Sequence, residues 1–436
     1  MKNINTLTII ALLSTSFLFA QYTLDTNYPI KRVNTPSCVY NIKPGVSYVR
    51  VERAQKVAEK MEQGVMPCSN FSVNYTGFTP EAQAAFQFAV DIWSNSIEST
   101  QTISVGATFE TAANPNNLGS ARPFTVFPLS NNGGPTYYYP SALAEKLSMM
   151  DLTDNPFPLP FDSTDIIASF NNTIPWYFGT DANPPANQFD FVSVVLHELG
   201  HGLGFSGIFA KTSDTNGDGN PDQGQIRVEN ISPIYDVFIE NIGGTDMLTF
   251  PDPSAALFSE FTGNDLYCNS AESIVQNNNA RPRIYAPLTY EPGSSYNHWN
   301  ENTFPDGAVN SLMTPFNGLG NAIHDPGPST LGFFKDMGWD ICPGALSVDE
   351  FSLEAVVLSP NPFKSAFTIT LANGSKDVYS INLFDINGRN VISRNQTAKN
   401  GSLIISNLEN LENALYFVTI ENSTTGNIIT KKIIKK

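Results

Sequence analysis

The sequence predicts an α+β domain over residues 76–343, followed by a small all-β sandwich over residues 344–436. Apolar side chains are dense in residues 191–203, as in a helix that is buried on most sides. Asp190 before this segment is a suitable N-cap, and Gly204 after it can supply a left-handed turn. The segment therefore predicts a central buried helix with defined ends.

Two further patterns fill the first domain. Thr79 and Pro80 predict the cap and first turn of a helix that runs through about residue 97. Residues 103–110 and 163–170 have the composition of strands, and the second of these precedes the central helix. Together with a hydrophobic content of 41%, this mixture indicates helices packed on a mixed sheet around a sizeable core.

The C-terminal domain has a different pattern. Short segments of strand-forming residues are separated by turn signals, and Asn387-Gly388 is a strong signal for a hairpin turn. Such regular spacing of short strands is typical of a β-sandwich. The predicted strands are 367–371, 379–384, 391–392, 403–405, 416–420 and 428–433.

The central helix carries a pattern that fits a metal centre. Residues 197–205 read HELGHGLGF, in a chain with four histidines among 436 residues. His197 and His201 lie one helical turn apart on one face, so both can bind one zinc ion. Glu198 lies about 100° around the helix from His197, where a carboxylate can take a proton from a zinc-activated water. The alternative is a surface helix with two incidental histidines.

A catalytic zinc site usually has three protein ligands. The position six residues after the second histidine is Gly207, so the third ligand must lie far downstream, at His298 or His324. Fifteen residues after His298 comes Met313, in the segment LMTP. His298 is the preferred third ligand because this methionine follows it. His324 alternatively belongs to a surface loop, and a lone methionine is more often an ordinary core residue.

These motifs as a set resemble the metzincin metallopeptidases, and within them the leishmanolysin-like group with its distant third histidine. The resemblance covers about residues 80–342 and implies a metzincin-like domain with an insertion at 206–297. It also implies a Met-turn at Met313 beneath the metal. Phe316 departs from the pattern, because some metzincins place an additional tyrosine ligand in this segment. The implied site is zinc at His197, His201 and His298, with Glu198 as the general base.

The resemblance implies a secreted zinc endopeptidase, a hydrolase acting on protein or peptide substrates. In metzincins the strand before the zinc helix, here 163–170, forms the edge along which the substrate lies, and extended peptides add to such edges by main-chain hydrogen bonds. Two other functions remain open. One is an inactive adhesin or binding protein that retains the zinc fold, and the other is a zinc hydrolase of a non-peptide bond. An intact Glu198 argues against pure binding.

The insertion contains a candidate calcium loop. Oxygen-bearing side chains occupy every second position, and calcium takes six to eight such ligands. An EF-hand would have Glu at position 12 of this loop, where Gln225 stands, so the loop instead resembles those of thrombospondin type 3 repeats and dockerins. The alternative is an acidic solvated turn. The expected ligands are Asp214, Asn216, Asp218, Asn220 and Asp222.

The two ends of the chain predict export. Residues 1–20 have a basic start, an apolar core and a terminal alanine, which is typical of a signal peptide cut between Ala20 and Gln21. No other segment is apolar enough to span a bilayer. Residues 21–75 are either a propeptide or part of the body.

The C-terminal motifs resemble the sorting domain of the type IX secretion system of Bacteroidetes. They are LSPNP at 358–362, FDINGR at 384–389, ALYF at 414–417 and KKIIKK at 431–436. The resemblance implies outer-membrane export, contact with the type IX machinery and removal of the domain. The alternative is an accessory sandwich that binds carbohydrate or cell wall.

The distribution of charge narrows the classes of molecule that the chain can bind. Residues 344–436 contain nine Lys/Arg and eight Asp/Glu, whereas the rest of the chain contains 15 and 33. Such an acidic body is unsuited to bind nucleic acid, and we expect a soluble monomer.

Four cysteines in an exported chain predict up to two disulfides, with three possible pairings. The sequence has no CxxC motif. A free thiol of Cys38 or Cys68 could bind the zinc in a latent form, but no motif supports this. The remaining cysteines are Cys268 and Cys342.

Overall fold

The structure is a computed structural model. It describes residues 22–33, 38–46, 48–153, 164–207, 210–212, 223–346, 356–371, 378–399, 401–422 and 428–436. The chain divides into two compact units, residues 1–346 and 347–436. The predicted signal peptide and the predicted calcium loop at 214–222 lie outside the described residues. Within the described ranges, no helix combines the length and hydropathy needed to cross a membrane.

The first unit mixes helices and strands. Its helices are α1 (Gln55–Gln63), α2 (Pro80–Ser94), α3 (Ser141–Ser148), α4 (Phe191–Leu203), α5 (Ala255–Phe261), α6 (Ala271–Gln276) and α7 (Pro328–Met337). Its strands are β1 (Tyr22–Leu24), β2 (Lys31–Arg32), β3 (Cys38–Val46), β4 (Arg50–Val51), β5 (Asn70–Thr76), β6 (Ile97–Glu98), β7 (Thr102–Glu110), β8 (Asn117–Pro123), β9 (Thr125–Asn131), β10 (Thr136–Pro140), β11 (Ile166–Asn171), β12 (Trp176–Tyr177), β13 (Phe189–Asp190), β14 (Ala210–Thr212), β15 (Gln223–Gln225), β16 (Ile239–Asn241), β17 (Leu266–Cys268), β18 (Phe316–Leu319), β19 (Ala322–Ile323) and β20 (Asp340–Ile341).

A six-stranded mixed sheet is the framework of this unit. Its order is β18-β3-β8-β11-β7-β5. Strands β5, β7 and β11 are mutually parallel, β8 is antiparallel to β11, and β3 is antiparallel to β8. Strand β18 runs parallel to β3. The N-terminal segment therefore supplies strands near both ends of the sheet, namely β3 and β5.

The strand predicted to form the substrate edge lies inside the sheet. β11 begins at Ile166 and is hydrogen-bonded to β7 on one side and to β8 on the other. The edge prediction is therefore wrong for this strand. Four of its six residues are buried. Strands β7 and β8 flank β11 in the plane of the sheet, and α4 packs against it. Strand β8, which is covered by β3, separates β11 from the outer part of the sheet.

The helix caps follow the sequence signals. Thr79 accepts a hydrogen bond from Ala82 N, as expected for the start of α2, although that helix ends at Ser94. Asp190 accepts from Ser193 N at the start of α4, and Gly204 after its end has φ 125°. A backbone with such a positive φ favours glycine. Every residue of α4 is buried, as its apolar composition predicts.

Indole groups hold α4 against its neighbours. Trp93 of α2 donates from Nε1 to Leu196 O at 2.9 Å, and Trp339 donates to Leu203 O at 3.1 Å. The Trp93 ring stacks on Phe334 of α7 with centroids 5.5 Å apart. These contacts combine large apolar burial with a satisfied polar group, so the helix that carries the candidate site is fixed on two sides.

The second unit is all-β. Its strands are β21 (Val356–Ser359), β22 (Phe367–Leu371), β23 (Val378–Phe384), β24 (Asn390–Thr397), β25 (Ser402–Ile405), β26 (Leu415–Asn422) and β27 (Ile428–Ile434). They form antiparallel sheets of order β21-β22-β25 and β24-β23-β26-β27, which share one apolar core. The turn predicted at Asn387-Gly388 joins β23 to β24, with Gly388 at φ 77°. Sequence patterns missed β21.

One disulfide closes the first unit. Cys68 and Cys342 are bonded across a sequence separation of 274 residues, whereas Cys38 and Cys268 are buried free thiols. The pairing joins Cys68, two residues before β5, to Cys342, the residue directly after β20. It therefore links the segment before β5 to the segment after β20. Of the up to two disulfides that the sequence predicts, the structure contains one.

We expect the Cys68–Cys342 bond to contribute about 2–5 kcal/mol to the free energy of unfolding, because it closes a long loop in the unfolded chain. A thiol reductant should lower the melting temperature of the wild-type protein. The double variant Cys68→Ser/Cys342→Ser should melt at the lower temperature with or without reductant. An equal response of the variant and the wild type to reductant would contradict the pairing.

Candidate metal centre

Three histidine side chains converge inside the first unit. His201 Nε2 lies 2.9 Å from His197 Nε2 and 3.2 Å from His298 Nε2, and the remaining pair is 3.3 Å apart. All three side chains are fully buried. Among the described residues, they are the set of potential ligand atoms that falls within 4.8 Å of one another. The structure thus places the two helix histidines beside the preferred downstream one.

Main-chain carbonyl groups orient each ring. His197 Nδ1 lies 2.7 Å from Leu312 O, His201 Nδ1 lies 2.7 Å from Phe205 O, and His298 Nδ1 lies 2.7 Å from Ser294 O. A carbonyl only accepts, so each Nδ1 carries the hydrogen. Each Nε2 then presents a lone pair, and the three lone pairs face one another.

This arrangement fits zinc. Tetrahedral zinc with imidazole nitrogens at about 2.0–2.1 Å separates those nitrogens by about 3.3–3.4 Å. The two pairs that include His298 lie close to this separation, at 3.2 and 3.3 Å, and the His197–His201 pair is shorter at 2.9 Å. Burial, followed by the neighbouring imidazoles, holds the pKa of His197 and His201 well below the usual range. Burial lowers the pKa of His298 to about 4. The neutral form that binds metal is therefore favoured at physiological pH.

Glu198 is a buried carboxylate beside the histidines. Neither of its oxygens has a hydrogen-bond partner among the described residues, and burial raises its pKa well above the usual value. The N–H groups of Tyr40 and Ala121 also face it and lower its pKa in part, although neither reaches it with hydrogen-bond geometry. An unpaired buried carboxylate is costly to stability, and such groups are concentrated at functional sites.

The predicted Met-turn residue packs beneath the histidine helix. A methyl group added at Gly200 would lie 2.8 Å from Met313 Sδ, so α4 can approach this close only with glycine there. Met313 O also accepts from Trp299 N at 2.8 Å. The turn is therefore tied to α4 and to the residue that follows His298.

His324, the alternative third ligand, lies apart from the three histidines. It is buried, and its Nε2 is 2.8 Å from Asp190 Oδ2. The same oxygen accepts from Ser193 N and Ser193 Oγ, and that hydroxyl accepts from Ile323 N at 2.7 Å. His324 therefore braces the N-terminus of α4 instead of lying in a surface loop.

Tyr40 and Gly119 belong to the site, although sequence patterns did not indicate them. The Tyr40 ring stacks on His197 with centroids 3.6 Å apart and planes 1° apart. A methyl group at Gly119 would lie 3.2 Å from Glu198 Cγ. Both residues reach the site through long-range strand pairing, which no local motif encodes.

The structure places the two candidate thiols away from the three nitrogens. Cys68 is in the disulfide, and Cys38 Sγ lies 3.5 Å from Ser206 Oγ. Burial raises the pKa of Cys38 to about 12, which disfavours the thiolate that metals prefer. A thiol cap on the metal therefore gains no support.

Comparison with known proteins assigns the C-terminal part of the chain. Residues 358–436 match the secretion system C-terminal sorting domain family, and residues 66–217 match the SPBPB7E8-like family. The second match contains His197, Glu198 and His201. An uncharacterized protein of Schizosaccharomyces pombe, PB7E8.01, is 33% identical over 88 residues, which is 20% of this chain and 14% of that protein.

Partial similarity is found to two solved structures from Porphyromonas gingivalis. PorZ, a surface component of the type IX secretion system of Porphyromonas gingivalis, is 17% identical over 23% of this chain and 14% of its own, with a TM-score of 0.17. Latent PorU of the same organism is 23% identical over 18% and 9%, with a TM-score of 0.16. This chain therefore spans a small part of each of these proteins.

The sorting domain places the protein among those exported by the type IX secretion system. Its destination is the cell surface or the medium, as both ends of the sequence predict.

The geometry makes opposite predictions for the two downstream histidines. His298→Ala should release zinc, because one of three ligands is lost. His324→Ala should retain zinc and lower the free energy of unfolding by about 1–3 kcal/mol, since Asp190 loses a buried partner. Metal analysis of the two purified variants, with thermal melts, makes the comparison. Loss of zinc from His324→Ala alone would contradict the ligand set.

Proposed function

We propose that the protein is an exported zinc-dependent endopeptidase of metzincin type. The observation that carries the proposal is the convergence of three neutral imidazole nitrogens beside the buried carboxylate of Glu198, which no described residue pairs with. His197, His201 and His298 would hold the metal. Three nitrogen ligands leave a fourth position open, as catalytic zinc requires.

A zinc ion held here would polarise a substrate carbonyl and lower the pKa of a water molecule. The chain supplies the rest of the chemistry. Glu198 accepts the proton of the attacking water and donates it to the nitrogen of the leaving amine. Its raised pKa suits this role, because a carboxylate that must later act as an acid holds the proton better in a desolvated site.

The neighbouring sheet supports a peptide as the substrate. Gly119 of β8 lies against Glu198, and the main chain of β8 can bind an extended peptide through ladder hydrogen bonds. β3 already pairs with β8 at this position, so the space beside the carboxylate accepts a polypeptide. This favours a peptidase over a zinc hydrolase of a non-peptide bond.

An inactive adhesin remains the second candidate, because all three histidines of the site are buried. Binding alone would give no reason to bury the carboxylate of Glu198 without a partner, since such burial costs stability. The proposed calcium loop lies outside the described residues and stays a prediction.

Glu198→Gln separates metal binding from proton transfer. The variant should retain one zinc per chain while its cleavage of unfolded protein falls by several orders of magnitude, because glutamine cannot accept the proton. Zinc content and the rate of digestion of a denatured protein are the two measurements. Near-normal digestion by the variant would remove Glu198 from the mechanism, and zinc binding without any digestion by the wild type would favour the adhesin.

The sorting domain generates a prediction about the mature product. We propose that the type IX machinery removes it, so protein recovered from the medium should lack most of residues 347–436. The domain folds around its own core, so its loss should leave the first unit folded. Intact mass spectrometry decides the matter, and a mass that includes the domain would contradict its removal.

A further inference from the structure

Strand β3 occupies the side of the sheet from which an extended substrate would reach the metal centre. In the described part of the chain, β18 is hydrogen-bonded in the sheet to β3, and β3 to β8. Without β3, β8 would be a sheet edge beside Glu198. β3 belongs to the N-terminal segment 21–75, and it fills this gap as an added strand, the mode by which sheets bind extended peptides.

Main-chain hydrogen bonds hold β3 from both sides. Asn41 N donates to Pro315 O at 3.2 Å, just before β18, and Ile42 N donates to Asn116 O at 3.2 Å, just before β8. A peptide held by its backbone in this way is fixed in register while its side chains remain free to enter pockets. The register places Tyr40 opposite Gly119.

The Tyr40 side chain enters the site itself. Its ring lies face to face on the imidazole of His197, and the residue is fully buried. Its hydroxyl has no hydrogen-bond partner among the described residues. The ring therefore binds by apolar and stacking contacts, and the hydroxyl adds nothing.

The main chain of Tyr40 meets the proton-transferring group. Gly119, the register partner of Tyr40, lies against Glu198 Cγ, so the main chain at Tyr40 passes the side chain of Glu198. In peptide hydrolysis the nitrogen of the leaving amine must receive a proton. The bond whose nitrogen lies beside Glu198 is the one between Val39 and Tyr40.

We propose that the chain hydrolyses its own Val39–Tyr40 bond at this centre, a step that rests on the endopeptidase function proposed above. Water adds its oxygen to the carbonyl carbon of Val39, and the bond from that carbon to the Tyr40 nitrogen breaks. Glu198 carries a proton from the water to that nitrogen. The products are a carboxylate at Val39 and a free amino group at Tyr40.

The same contacts assign the selectivity of the site toward other substrates. The residue after the cleaved bond stacks on His197, so an aromatic side chain is preferred there. Phenylalanine fits as well as tyrosine, because within the described ranges the Tyr40 hydroxyl has no hydrogen-bond partner. A small side chain at this position cannot stack on the His197 ring.

The test uses the full chain, prepared free of metal with a chelator and started by adding zinc. Intact mass and N-terminal sequencing should show a new chain that begins at Tyr40. The reaction occurs within one molecule, so its rate constant should not change when the protein is diluted tenfold. Glu198→Gln should stay uncut.

Two substitutions at the cleaved bond form a matched pair. Tyr40→Phe should be cut at the wild-type rate, whereas Tyr40→Gly should be cut at least about tenfold more slowly, as expected for the loss of a bound side chain in a selective pocket. Each substitution should also be combined with Glu198→Gln, which stays uncut. Zinc content and a cooperative thermal melt of these double variants show that each one is folded and holds metal.

The outcomes separate this proposal from the proposed function. Digestion of unfolded protein without any chain beginning at Tyr40 would overturn self-cleavage and leave the peptidase standing. A rate that falls with dilution would show cutting between molecules and also overturn it. Absence of both activities in zinc-loaded protein would overturn the proposed function itself.

Discussion

The convergence of three imidazole lone pairs is the constraint on which the rest of the site depends. Each ring is turned by a hydrogen bond from its Nδ1 to a carbonyl oxygen, and those carbonyls belong to Leu312, Phe205 and Ser294. Three lone pairs within 3.3 Å repel one another unless a cation lies between them. The metal centre would therefore join α4 to the segment around His298, 97 residues after His201, and it would stabilise the folded chain.

The position of β3 gives the N-terminal segment a role that its composition does not reveal. By pairing with β8 and β18, it completes the sheet and buries Glu198. A site so covered cannot meet an external substrate until the strand leaves. The same contacts that bury the carboxylate would couple the proposed peptidase activity to the proposed processing, because a cut within the strand would weaken its attachment to the sheet.

Local features of the fold could be predicted from the sequence, whereas long-range pairings could not. Asp190 and Gly204 mark the ends of α4 because capping depends on residues within one turn. Most of the C-terminal strands alternate with period two and were predicted with nearly correct bounds, whereas β24 is much longer than the predicted 391–392 and β21 was missed. The interior position of β11, the covering strand β3 and the pairing of Cys68 with Cys342 depend on contacts between distant residues. The place of Tyr40 in the site depends on the pairing of β3 and could not be predicted from the sequence either. By contrast, the spacing of His298 from Met313 was sufficient to select the third histidine that the structure places in the site.

The most direct measurement is X-ray absorption at the zinc edge on purified, exported protein. The account predicts one zinc per chain with three imidazole nitrogens at about 2.0–2.1 Å and a further oxygen ligand, without sulfur. Scattering from sulfur, fewer than three imidazoles, or a chain that binds no zinc would contradict a three-histidine catalytic centre.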